Sequence, residues 1–216
     1  MYDEFNAKML ITQFRSETAT VTSGFSRWTS IIWSAFIMNS FALFTDVSVN
    51  PQRKIGVGGY LLVPLPFLEN KLQDIDQGEL SAQLQFKSFV ETSSTKLELQ
   101  TVLWALENSR EELTVSALGS LRIYTDSQCV AGLLRRRAGL INSDFLSRRS
   151  GRPLTNAHLY RAFYEAFDQL GFQLIKVSGH SRACSHDTVQ RIFSLVDREV
   201  RKALTLWLDS PSLRAS

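Results

Sequence analysis

Hydrophobic residues change their spacing several times along this chain, and each change marks a new element. FALFTDV, residues 41–47, is a run of strand formers that places Asp46 near the strand's end. VNPQRK then supplies turn formers, and IGVGGYLLV reads as the antiparallel partner. A Pro-containing loop, PLPFLENKLQDIDQGEL, leads to QLQFKSFVE, where Leu84, Phe86, Ser88 and Val90 alternate with Gln85, Lys87, Phe89 and Glu91 as in a half-buried strand. After this the period lengthens. In SSTKLELQTVLWALENS, the residues Leu99, Val102, Leu103 and Leu106 mark a helix face, with serines in front of it as caps. LRIYT is a fourth strand, and Val130, Leu133 and Leu134 after it recur at helical spacing. NAHLYRAFYEAFDQLG carries Leu159, Phe163 and Phe167 on one stripe and Gly171 as its stop. FQLIKVS is a fifth strand, and the last helix aligns Val189, Ile192, Val196, Val200, Ala203 and Trp207.

The order βββ-α-β-α-α-β-α predicts an antiparallel set of three strands followed by crossovers, which make parallel pairs. No internal repeat is present. IGVGG is a strand-turn glycine cluster without the helix that a dinucleotide-binding loop requires.

Length and composition sharpen this picture modestly. With 216 residues, 44% hydrophobic and 21% charged, the chain suffices for one domain with a full core plus an appended segment. The division expected is residues 1–37 as an N-terminal extension, 38–209 as the main domain and 210–216 as a tail. The stretch Trp28–Phe44 is free of charge, but Thr, Ser and Asn dilute it and it sits at the short limit for a bilayer span. The acidic opening MYDEF is unlike a secretory signal, so neither a membrane partner nor export is expected. Two cysteines, Cys129 and Cys184, provide no disulfide framework and fit a reducing, cytoplasmic setting. His180, Cys184 and His186 form H-x3-C-x-H, a weak metal pattern that lacks a fourth ligand.

The net charge is only +3, yet six arginines (135, 136, 137, 148, 149 and 152) face one acid, Asp144, within eighteen residues. Such a patch suits an anionic polymer, although Arg135 to Arg137 also suit a helix C-terminus.

Four acids stand out against the predicted elements. Asp46 and Asp126 fall at strand ends, Glu98 one turn into a helix, and Asp197 on the last helix. If they converge, the concentration of like charge calls for bound cations, and hard carboxylate oxygens select Mg²⁺ or Mn²⁺. Local alternatives stand beside this: Asp126 as a helix cap, Thr95-Lys-Leu-Glu98 as a capping box, and Asp197 paired with Arg201 at i,i+4.

The ordered set of motifs resembles the type I ribonuclease H family. FTDVS is similar to the first-strand Y-T-D-G-S, TKLELQTVLWAL to N-R-M-E-L-x-A, YTDSQ to T-D-S-Q, VSGHS to V-K-G-H-S, and VDREVRKAL to the closing D-x-L-A-x-x-A helix. The resemblance runs from Phe41 to Leu208. It implies a ribonuclease H-like α/β fold, a five-stranded mixed sheet with three antiparallel strands then two parallel, flanked by helices. It implies an endonuclease that hydrolyses the RNA strand of RNA–DNA hybrids, leaving 5′-phosphate and 3′-hydroxyl ends. Asp46, Glu98, Asp126 and Asp197 would be the metal-binding carboxylates for two ions per site, about 3.5–4 Å apart. His180 would assist proton transfer or product departure. Ser48, Ser94 and Gln128 would contact the hybrid near the cut, and Arg135, Arg136 and Arg137 would hold phosphates. A monomer is expected.

The chain departs from the family pattern in places. Val47 replaces the usual Gly, Ser178 the Lys before GHS, and Ser94 the common Asn. Seventeen positions separate His180 from Asp197, which makes Asp187 a rival for the fourth carboxylate. A silent binding module of the same fold, or a same-fold nuclease for another nucleic acid, is the alternative reading.

Overall fold

The computed structural model describes residues 40–69, 76–115, 120–178 and 187–210. The chain divides into Met1–Ala35, which lies outside the described residues, and Phe36–Ser216. Among the described residues five strands form one sheet in the order β3-β2-β1-β4-β5. These are β1 (Phe41–Asn50), β2 (Ile55–Pro64), β3 (Gln85–Phe89), β4 (Leu121–Thr125) and β5 (Gln173–Lys176). β1 pairs antiparallel with β2 and β2 with β3, whereas β1 and β4, and β4 and β5, are parallel. This is the mixed sheet expected from the order of elements.

Helices cover both faces: α1 (Gln77–Gln83), α2 (Ser94–Asn108), α3 (Arg110–Val115), α4 (Gln128–Ala131), α5 (Leu133–Asn142), α6 (Ala157–Leu170) and α7 (Thr188–Leu208). α6 stops at Gly171, whose φ of 62° is left-handed, as the sequence predicts. Among the described residues no helix is long and apolar enough to cross a membrane.

β1 is central, and its residues alternate between two cores. Leu43 packs with Leu99 and Val102 of α2, Leu133 of α5 and Phe163 of α6. Ala42 and Phe44 pack on the other face with Ile192, Phe193, Val196 and Val200 of α7. Each fully buried side chain of that size contributes about 1.5–3 kcal/mol, so α7 is held by its stripe and not by helix propensity alone.

Several details differ from expectation. β1 runs to Asn50, because β2 pairs with it as far as Asn50↔Ile55, so Asp46 lies inside the strand and not at its end. β3 is not half-buried: residues 85–88 are exposed, with Phe86 at 42%, because β3 is the sheet edge and Leu84, the buried residue, precedes it. The stretch after Val63 is not plain loop, since residues Leu65–Glu69 form a 3-10 turn and α1 follows, capped by Asp76. The glycines of β2 are there for packing. A Cβ on Gly58 would stand 2.0 Å from Thr101 Oγ1 of α2, and one on Gly59 would stand 2.4 Å from Val200 Cγ2 of α7. Both helices therefore approach the sheet at positions without side chains.

Candidate active site

The parallel pairing of β1 and β4 ends at Phe44↔Tyr124. Beyond it the strands part, and the residues that follow open a small recess lined by Thr45, Asp46, Val47, Glu98, Thr125 and Asp126. Strand ends in a parallel sheet are where such a crevice forms. The recess thus brings three of the four acids singled out from the sequence to one place. Period 2 along β1 puts Asp46 on the same face as Ala42 and Phe44, toward α7, and there Asp46 shares a hydrogen bond with Asp197.

Each acid has a different setting. Asp46 is 9% exposed, and its carboxyl is pushed up from its ordinary 3.8 to about 8. Burial is the main cause, the Val47 backbone N–H opposes it, and the charges of Asp126 and Asp197 add to it. Asp126 is raised by desolvation and then by Asp197, while its own backbone N–H, Lys176 and Arg201 pull it back. Glu98 is raised by burial and by Asp126 and lowered by two serine hydroxyls. Asp126 thus links the acids, since its charge reaches both Asp46 on β1 and Glu98 on α2.

The local alternatives resolve one by one. Asp126 is not the cap of α4; Ser127 is, its Oγ accepting from the Val130 N–H at 3.1 Å. No side-chain bond caps α2, and Glu98 instead accepts from Ser127 Oγ at 2.5 Å and from Ser94 Oγ at 3.4 Å. Asp197 does pair with Arg201, Oδ1 to Nη2 at 2.7 Å. Asp187, the rival of Asp197, caps α7 by accepting from the Gln190 N–H at 2.8 Å. It takes no part in the acidic recess.

Ser48 and Ser94 line a neighbouring groove of about 910 Å³ with Lys54, Ser93, Lys96 and Asn156. Gln128 is the exposed first residue of α4. The three arginines of α5 separate. Arg137 forms a two-pronged pair with Asp168 at 2.7 and 2.6 Å and lies over the Tyr164 ring. Arg136 donates to the Cys129 carbonyl at 2.8 Å. Arg135 and Arg136 line a groove of about 520 Å³ together with Arg148 and Arg149, so two clusters separate in sequence meet on one surface. His180, Cys184 and His186 lie outside the described residues.

Sequence reasoning missed Ser127, although it stands inside the TDSQ motif and just before a helix, which is a cap signal. It also missed Lys54, Lys96 and Lys176, which carry no local signal.

Among the described residues no group of three or more carboxylate, histidine or cysteine side chains is already set to hold an ion. The donor set nonetheless fits hard divalent cations: all donors are carboxylate oxygens, and those of Asp46 are buried beside two like charges that bound cations would offset.

A mixed sheet in this strand order, with acids at the parting of β1 and β4, defines a ribonuclease H-like protein. The RNase H family model matches residues 38–188, and the chain belongs to that family. Asp197 lies beyond the matched span. Among solved structures, the native prototype foamy virus protease-reverse transcriptase is similar to this chain with a TM-score of 0.55 at 14% identity, covering 76% of this chain and 20% of that one. The likeness is one of fold, and this chain spans about a fifth of that protein. A foamy viral protease-reverse transcriptase in complex with dsDNA gives 0.46 at 11% identity, covering 74% of this chain and 94% of that one. No curated protein gives a significant match. Family membership supports a nuclease-type enzyme that acts on nucleic acid.

Proposed function

We propose that this protein is a divalent-metal-dependent endonuclease that cuts the RNA strand of RNA–DNA hybrids and leaves 5′-phosphate and 3′-hydroxyl ends. The observation that carries this reading is the recess that gathers Asp46, Glu98 and Asp126, with Asp197 hydrogen-bonded to Asp46 across from it. These four carboxylates would hold Mg²⁺, or Mn²⁺ in its place, as a pair of ions. Bound there, such ions supply Lewis acidity, both for activating water and for stabilising the leaving 3′ oxygen.

The chain's own residues do the rest. Ser127 and Ser94 orient the Glu98 carboxylate through their hydroxyls. Asp46 is fixed in position by the pairing of its strand and by burial. Two grooves supply further contacts: hydroxyls and lysines near Ser48 and Ser94 in one, which shares Val47 with the recess, and arginines near Arg135 in the other. Cations spaced along a surface hold a phosphate backbone in a salt-sensitive way, and hydroxyl groups can bond the 2′-OH that distinguishes RNA from DNA. His180, in the VSGHS loop, is assigned the proton transfer or product-release step on the family resemblance alone.

The test is cleavage of labelled RNA–DNA hybrid, duplex DNA and duplex RNA by the full chain, with Mg²⁺, Mn²⁺ or EDTA. Metal-dependent cutting confined to the RNA strand of the hybrid is the expected result. Hybrid that stays intact with either ion rejects the reading. Binding without cleavage would identify a silent module, the alternative motivated by Val47 in place of the usual Gly and by the altered loop before His180.

A further inference from the structure

Three bases follow Asp197 on α7, but they do not point the same way. Arg198 turns to Glu199, its Nε 3.3 Å from Oε1, and Lys202 turns to Glu199 at 3.6 Å. Arg201 instead reaches Asp197, Nη2 to Oδ1 at 2.7 Å. The same guanidinium acts on Asp126, the acid that links the others. One side chain therefore offsets charge on two of the four acids.

We propose that Arg201 is an internal competitor for divalent cation at Asp197: the guanidinium occupies the carboxylate in the metal-free protein and weakens the binding of the ion that needs it. The inference rests on the metal-dependent reading above.

The chemistry follows from the pair's geometry. An oxygen that accepts a guanidinium N–H must give up that bond before it can direct the same lone pair at an ion. Arginine keeps its charge at every pH of interest, so the competition is not relieved by deprotonation. The guanidinium is 64% exposed, however, and can swing into water at little cost. It therefore competes weakly and does not block the site. The outcome is a graded one, a higher cation concentration needed to fill the position at Asp197, with the position held by Asp46, Glu98 and Asp126 less affected. Arg201 is thus a positioning residue for Asp197 and a determinant of metal affinity.

Mn²⁺ alone, counted by the electron paramagnetic resonance of the free ion, measures this on the full chain without nucleic acid and without turnover. Arg201→Gln and Arg201→Met should each tighten the weaker Mn²⁺-binding event by about two- to fivefold, the range expected when a partly exposed ion pair is removed. Lys202→Gln removes an equal charge from the same helix and should change affinity by less than about twofold, since an exposed charge away from the acids is screened. Unchanged or weaker binding in both Arg201 variants overturns the proposal, as does equal tightening in Lys202→Gln, which would make the effect one of net charge. If the unaltered chain binds no Mn²⁺, the metal-dependent function itself fails and this inference falls with it. Normal Mn²⁺ binding in the unaltered chain with no gain in the variants would leave that function standing.

Discussion

Asp46 and Asp126 each lie two residues past the last paired couple of β1 and β4, Phe44 and Tyr124, Asp46 still within β1 and Asp126 just beyond the end of β4. β1 continues beyond that point on β2 alone, and β4 ends at Thr125. The two carboxylates are therefore brought to one recess at the place where the sheet splits. Asp126→Asn keeps the shape of the side chain and removes the charge that reaches Asp46 and Glu98. It is expected to abolish hybrid cleavage while leaving the melting temperature unchanged or raised, as paired activity and thermal unfolding measurements would reveal.

The pH dependence of stability should carry the signature of Asp46. Its carboxyl has an ordinary value of 3.8 and sits at about 8 in the folded protein. Between those values the folded chain holds a proton that the unfolded chain has released, so metal-free stability should fall as pH rises across that window. Urea midpoints in EDTA across that range test this. Asp46→Asn should flatten the slope, and Mg²⁺ should reduce the loss at the alkaline end.

Ser127 joins two jobs in one hydroxyl, capping α4 at Val130 and donating to Glu98. Ser127→Ala is expected to lower stability by about 1–2 kcal/mol, from the lost cap and the lost bond to a carboxylate. The freed Glu98 should also cost roughly tenfold in turnover, which corresponds to about 1.4 kcal/mol of barrier. Hybrid affinity, measured in EDTA, should stay the same.

Gly58 is where α2 meets the sheet. Gly58→Ala should cost about 1–3 kcal/mol through overpacking against Thr101. Thr101 Oγ1 is buried without a partner among the described residues. Thr101→Ala should therefore be tolerated alone and should recover part of the loss when combined with Gly58→Ala. A double-mutant cycle in urea reads out this coupling.

The arginines of α5 should behave differently from one another. Arg135 opens on the groove with Arg148 and Arg149, whereas Arg137 is taken up by Asp168 and two aromatic rings. Arg135→Ala should weaken hybrid binding and reduce the salt slope by about one unit. Arg137→Ala should show up mainly as a small drop in melting temperature, with a smaller change in the slope. Fluorescence anisotropy over a range of salt concentrations separates the two.

How much of this was legible in the sequence depends on the range of the force involved. Alternation and helical spacing reveal which face of each element is apolar, and this alone determined five strands, the long helices and their order. A local pattern also placed Asp46, Glu98, Asp126 and Asp197 on those elements. Only the tertiary structure decided what lay outside local patterning. β3 became exposed because it took the sheet edge, the β2 glycines proved to be seats for α2 and α7, and Ser127 rather than Asp126 became the cap. The pairing of β1 with β4 carried Asp46 and Asp126 to one recess, and the packing of α7 brought Asp197 and Arg201 to them. Burial and like charge act through space between residues remote in the chain, so charge states and partners emerge only once the backbone has fixed the distances.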